Sequence, residues 1–159
     1  RFGVQSTFVD TSDLDRVRAA LRPETRMLYV ETPENPTIRL TDIAGCAEIA
    51  RQHGLLLVVD NTFATPVLQR PLELGADIVV HSMTKFLNGH SDIVAGAVIG
   101  SAEHLEKVRH LHVASDGGID VGRPTVHPVL EGAQLPPGGL NQLEVIETEI
   151  TKAMEFLKA

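Results

Sequence analysis

The chain has 159 residues, of which 43% are hydrophobic, and its formal net charge is −7. This length allows one domain with a real core, and the acidic balance argues against a general nucleic-acid binder or a protein held on an anionic membrane. No apolar run is long enough to span a bilayer, the first residues lack a signal-peptide pattern, and the single cysteine, Cys46, fits a reducing cytoplasm.

The first hundred residues alternate between strand-like and helix-like patterns. Strands are predicted at 4–10, 27–32, 55–60, 76–82 and 93–100. Helices are predicted at 12–22 with Ser12 as the cap, at 41–54 with Gly54 closing the last turn, and at 101–113. This alternation predicts an α/β fold with a mostly parallel sheet and flanking helices.

The texture changes after Val113. Residues 114–140 contain six glycines and four prolines and have no periodicity, which is typical of a linker. Residues 141–159 have an apolar stripe at helical spacing and a capping Asn141. We therefore predict an α/β domain at 1–113, a linker at 114–140 and an amphipathic terminal helix at 141–159.

Polar side chains follow three successive predicted strands. In open α/β sheets, ligands bind beyond the carboxyl ends of the strands. The residues that follow the three strands are Glu31, Thr32 and Asn35, then Asp60, Asn61 and Thr62, then Ser82, Thr84 and Lys85. We therefore expect carboxylates, amides, hydroxyls and one lysine to converge on one edge of the sheet.

This set of residues suits carbonyl chemistry on a lysine. A lysine withdrawn from water has a lowered pKa and can form a Schiff base. If the carbonyl belongs to pyridoxal phosphate, a carboxylate must face the ring nitrogen, for which Asp60 is the candidate. The phosphate needs neutral donors such as Ser82 and Thr84, and Asn35 could hold the ring oxygen. A lysine Schiff-base enzyme without a cofactor stays open at this point.

Each of these residues also has a plain structural reading. The alternatives are an ordinary loop lysine for Lys85, a helix cap for Asp60, turn formation for Ser82, Thr84 and Asn35, and a surface acid for Glu31. His81, His90 and Asp92 lack a third ligand at a short fixed spacing, so no metal site is predicted.

Three separated segments occur in order: ETPENPT at 31–37, VVDNTFATPVLQRPLELGADIVVHS at 58–82 and TKFLNGHSDIVAGAVIG at 84–100. Together they closely resemble the Cys/Met-metabolism, or trans-sulfuration, family of pyridoxal-phosphate enzymes. The resemblance covers residues 1 to about 112, and NGHSD favours the cystathionine γ-synthase and γ-lyase branch. It implies part of the large domain of a fold-type-I, aspartate-aminotransferase-like enzyme.

The resemblance also implies roles for single residues. Lys85 would form the internal aldimine with pyridoxal 5′-phosphate and carry protons between substrate carbons. Asp60 would pair with the pyridine nitrogen, Ser82 and Thr84 would bind the phosphate, and Asn35 would lie near the ring oxygen. Glu31 would border the site.

The implied activity is that of a carbon–sulfur lyase or a γ-replacing transferase. Its substrates would be cystathionine, homocysteine, cysteine, methionine or O-acylhomoserine. Its assembly would be a homo-oligomer, the tetramer of the family, if the missing segments are supplied. Family members are more than twice as long, and residues 114–159 do not resemble their continuation. The alternative is therefore a truncated, inactive remnant that binds the cofactor weakly or acts only as an assembly partner.

Overall fold

A computed structural model describes residues 3–92 and 94–114 of the chain, with side chains as far as Val108. The predicted helix at 141–159 and nearly all of the predicted linker lie outside the described residues. Within the described part, no helix has the length and apolar character needed to cross a membrane.

The described residues form a four-stranded sheet in the order β1-β2-β3-β4. The strands are β1 (Met27–Glu31), β2 (Leu56–Asp60), β3 (Ile78–Ser82) and β4 (Gly96–Gly100). The first three run parallel, while β4 runs antiparallel to β3. The predicted α/β class with a mostly parallel sheet is confirmed.

The helices are α1 (Leu14–Ala20), α2 (Ile43–His53), α3 (Thr65–Leu68) and α4 (Ala102–Ala114), with a 3-10 turn at Pro71–Leu74 and a helical turn at Met83–Leu87. Helix α2 begins because the Asp42 carboxylate accepts a hydrogen bond from the Gly45 N–H at 2.9 Å. It ends at Gly54, which adopts the left-handed conformation at φ 64°. The predicted role of Gly54 is confirmed.

The main core lies between α2 and one face of the sheet. Its buried members come from α2, the strands and the adjoining turns: Val30, Ile43, Cys46, Ala47, Ala50, Leu55, Leu57, Val59, Ala76 and Val79. The opposite face carries a smaller cluster of Val58, Ile78 and Val80. Side chains alternate along a strand, so Asp60 and Ser82 continue this second face toward the carboxyl ends.

Two expectations for the first residues are wrong. Residues 4–10 form no strand, and Phe8, at 96% exposed, has no apolar face to cover it. The alternating apolar residues there extend over too few positions to add a strand to the sheet that β1 to β4 form. Helix α1 is capped by the Asp13 carboxylate, while the Ser12 hydroxyl instead donates to Asp10 at 2.6 Å.

Candidate active site

The carboxyl ends of the parallel strands gather the polar residues that the sequence predicted there. Glu31 ends β1, Asp60 ends β2, and the two residues pair in register. Burial raises the pKa of the Glu31 carboxyl, and the nearby charge of Asp60 raises it further. The edge of the sheet therefore carries two adjacent carboxyl groups, and Glu31 holds its proton to a higher pH than a free carboxyl group does.

The Asp60 carboxylate is held from two sides. Its Oδ1 accepts a hydrogen bond from the Thr62 N–H at 2.9 Å. Its Oδ2 accepts from the Tyr29 hydroxyl across a long 3.4 Å contact. Burial raises the pKa of Tyr29, and the charge of Asp60 adds to this, so the phenol stays protonated as a donor. This arrangement fixes the direction of the carboxylate.

Thr62 joins Asp60 to the next strand. Its Oγ1 accepts a hydrogen bond from the Ser82 N–H at 2.8 Å, and the residue is 8% exposed. The Ser82 hydroxyl has no hydrogen-bond partner among the described residues. A carboxylate and a free hydroxyl donor are thus positioned by one shared neighbour.

Lys85 lies in the helical turn that follows β3. The Asn88 N–H donates to the Met83 carbonyl at 3.0 Å, and the Gly89 N–H donates to the Lys85 carbonyl at 2.8 Å. The Lys85 backbone itself is not helical, with φ −91° and ψ −122°. Its side chain is exposed. The part of the chain that the structure describes therefore does not bury Lys85 as expected for a reactive lysine.

Thr84 anchors this turn to the residue before β4. The Ala95 N–H donates to Thr84 Oγ1 at 3.0 Å, and the Thr84 N–H donates to the Ala95 carbonyl at 3.2 Å. The Thr84 hydroxyl also donates to that carbonyl over 3.3 Å. The hydroxyl therefore has a structural partner, and as a ligand donor it would have to turn away from Ala95.

An open cleft of about 520 Å³ lies over the lysine turn. It is lined by Phe63, Thr84, Lys85, Phe86, Gly89, Ser91, Asp92 and Val94. The rings of Phe63 and Phe86 meet edge to face with their centroids 5.6 Å apart, which gives the cleft an apolar wall. Lys85 and Thr84 line the cleft, whereas Asp60 and Ser82 lie at the neighbouring strand ends.

Asn35 is exposed in the turn after β1 and does not line the cleft. Its backbone N–H donates to Glu31 Oε1 at 3.3 Å, which links Asn35 to the end of β1. The predicted role of its side chain at a ring oxygen stays a prediction.

Tyr29 was not among the predicted site residues. It lies two residues before Glu31, so strand alternation puts both on one face, and this signal could have found it. His81 is buried, and its Nδ1 has no hydrogen-bond partner among the described residues. Burial lowers the pKa of His81, while the charge of Asp60 opposes the shift. No group of three metal-ligating side chains occurs in the described ranges.

A protein-family model described as Cys/Met metabolism PLP-dependent enzyme matches residues 1–129. The chain belongs to this family. The match continues to residue 129, so the family resemblance extends beyond residue 112, where the sequence analysis placed its end. Pyridoxal phosphate is the cofactor of this family, which agrees with the chemistry of the residues at the strand ends.

Curated relatives are similar over most of the chain. A cystathionine γ-lyase from Bacillus subtilis is 51% identical over 119 residues, covering 75% of this chain and 31% of the relative. An L-methionine γ-lyase from Pseudomonas putida is 56% identical over 108 residues, covering 68% and 27%. The chain thus spans about a third of the length of these family members.

A solved structure of the family agrees with the fold. The crystal structure of cystathionine γ-lyase from Lactobacillus plantarum complexed with L-serine matches with a TM-score of 0.61 at 50% identity. The match covers 64% of this chain and 26% of that one. The sheet described above therefore corresponds to one part of a longer family fold.

Proposed function

We propose that this chain supplies the cofactor-binding part of a pyridoxal-phosphate-dependent lyase that breaks carbon–sulfur bonds in amino acids. The observation that carries the proposal is the placement of Asp60, Ser82 and Lys85 at and just beyond the ends of β2 and β3, next to an open cleft. The lyase names of the relatives favour elimination over γ-replacement. Methionine and cystathionine, which their names contain, are the substrates to test first.

The residues present fit the cofactor. Asp60 offers a carboxylate that Thr62 and Tyr29 already orient, and that is the partner a protonated pyridine nitrogen requires. Ser82 offers a hydroxyl without a partner among the described residues, and Thr84 would offer a second one for the phosphate once its hydroxyl turns away from the Ala95 carbonyl. When bound, pyridoxal phosphate would serve as an electron sink that stabilises negative charge developing on the substrate carbon next to the amino group.

We assign the proton-transfer steps to Lys85. Lys85 lines the cleft, where its amine could take a proton from one substrate carbon and return it to another. Because the side chain is exposed in this chain, we expect the amine to carry out these proton transfers only when the cleft is covered and water is excluded. The homotetramer that the sequence resemblance implies is part of this proposal.

The test is to add pyridoxal phosphate to the purified chain, reduce with borohydride and map the modified lysine. The chain has four lysines, Lys85, Lys107, Lys152 and Lys158, so the three others serve as internal controls. We expect the label on Lys85 and a large loss of label in Asp60→Asn. The exposed Asp15→Asn on α1 is a matched control that should leave labelling unchanged.

Label spread evenly over all four lysines would overturn the proposal. That outcome would favour the inactive remnant, which the exposure of Lys85 supports. Where Lys85 is labelled, release of ammonia and thiol from methionine or cystathionine distinguishes a working lyase from a chain that only binds the cofactor.

A further inference from the structure

A small cluster of amide groups lies at the carboxyl ends of β1 and β2. Gln69, which directly follows α3, donates from its side-chain Nε2 to the Thr32 carbonyl at 2.9 Å and to Asn61 Oδ1 at 2.8 Å. Asn61 returns a bond from its Nδ2 to the Gln69 carbonyl at 2.9 Å. One side chain thus joins residues that lie far apart along the chain.

Water cannot easily replace these bonds. Asn61 is 0% exposed and Thr32 is 1% exposed. When a buried carbonyl or amide oxygen loses its hydrogen-bond donor, most of the free-energy cost of removing that oxygen from water is no longer offset. The two acceptors of Gln69 therefore depend on this one amide.

The cluster is tied directly to the strand ends that carry the site. Thr32 follows Glu31 in sequence, and its N–H donates to the Asp60 carbonyl at 3.3 Å. Asn61 follows Asp60, and its N–H donates to the Val80 carbonyl on β3 at 3.0 Å. A shift of Gln69 would therefore be felt on all three parallel strands, next to both carboxylates.

We propose that Gln69 is a positioning residue, which holds the ends of β1 and β2 so that Glu31 and Asp60 keep their spacing and direction. Gln69 lies outside the set of polar residues at the strand ends and acts only through Thr32 and Asn61. As far as it concerns cofactor binding, this inference rests on the proposed function.

Gln69→Met tests the proposal, because it keeps the length of the side chain and removes the donors. Gln52→Met is a matched control, since Gln52 donates to Glu48 at 2.7 Å on the exposed face of α2, away from the site. In the full chain we expect Gln69→Met to speed amide hydrogen exchange at 31–35 and 60–65, and Gln52→Met to leave it unchanged. The dissociation constant for pyridoxal phosphate should rise about tenfold in Gln69→Met alone.

Gln69→Glu adds a second readout, the pH dependence of cofactor affinity, which a purely structural role would not change. It also replaces Gln69→Met if that variant does not fold. As a carboxylate, Glu at this position faces two oxygen acceptors; once protonated, it regains one donor. Relative to the original chain, its affinity for pyridoxal phosphate should therefore recover as pH falls, whereas that of Gln69→Met should not.

Equal cofactor affinity and equal exchange in Gln69→Met and Gln52→Met would overturn the proposal. So would a loss of affinity in Gln69→Glu that is the same at every pH. If the original chain fails to take pyridoxal phosphate on Lys85, the proposed function fails, while the exchange comparison at the strand ends still decides the role of Gln69.

Discussion

Glu31 and Asp60 end neighbouring parallel strands in register, and the charge of Asp60 adds to burial in raising the pKa of the Glu31 carboxyl. Two negative charges side by side at a half-buried edge repel each other, so the pair is more stable when one carboxyl group is protonated. A cofactor nitrogen facing Asp60 would relieve part of this repulsion. If Asp60 faces the cofactor nitrogen as proposed, cofactor binding would therefore be coupled to the protonation of Glu31.

The first prediction concerns the pH dependence of stability. Since the pKa of Glu31 is higher in the folded than in the unfolded chain, its contribution to stability is fully present below its ordinary pKa and is lost as pH rises through the raised value. Glu31→Gln does not titrate, so its free energy of unfolding should improve relative to the original chain between about pH 4 and about pH 7. Urea unfolding at both pH values measures this, and a difference independent of pH would contradict it.

The second prediction concerns the bridge between Asp60 and Ser82. Thr62→Val keeps the shape of the side chain but leaves the Ser82 N–H without its acceptor, so we expect a loss of about 1–3 kcal/mol in the free energy of unfolding. Thr62→Ser keeps the oxygen and should lose only about 1 kcal/mol for the missing methyl group. Urea unfolding of both variants decides between them. Equal losses would mean that packing, not the hydrogen bond, is what Thr62 contributes.

The third prediction concerns Cys46, which is fully buried on α2. Burial, with a smaller effect from Asp42, raises the pKa of its thiol to about 11, so almost none of it is thiolate near neutral pH. We expect a disulfide reagent to leave the folded chain unmodified and to react with one thiol per chain in denaturant. Fast reaction of the folded chain at neutral pH would disprove this.

The fourth prediction compares two glycines with positive φ. A Cβ at Gly75, where φ is 96°, would lie 2.9 Å from the Cβ of Ala47, whereas a Cβ at Gly54, where φ is 64°, would meet nothing within 4 Å. Gly54→Ala should therefore cost about 1–2 kcal/mol from the backbone alone. Gly75→Ala should cost more, because α2 must also shift. Thermal unfolding of both variants measures the difference, and the reverse order would refute the steric argument.

Much of the site could be predicted from the sequence because the strands that carry it are unambiguous. The apolar runs before Asp60 and before His81 are typical of parallel strands covered on both faces, and this indicates where their polar neighbours emerge. The direction of β4 could not be predicted in this way. Its residues have the same apolar character in either direction, so only the fold shows that β4 runs antiparallel to β3.

Other features depend on contacts that no local pattern records. Gln69 is an ordinary polar residue in sequence, and only the fold brings it to Thr32 and Asn61. The exposure of Lys85 likewise depends on what packs above the strand ends, about which the strand pattern says nothing. Residues 4–10 show the converse, since an alternating pattern forms a strand only when a neighbouring strand and a covering face exist.

The paired hydrogen bonds between Thr84 and Ala95 have a further consequence for how this region can change. They close the segment that follows β3 at its base, with Lys85 next to the closure and the exposed Gly89 and His90 at its far end. Lengthening a closed loop costs little, only about 0.6 kcal/mol for each doubling. An insertion between His90 and Ser91 keeps both the Thr84–Ala95 closure and the hydrogen bond from the Gly89 N–H to the Lys85 carbonyl, so we expect Lys85 to hold its position when residues are added there.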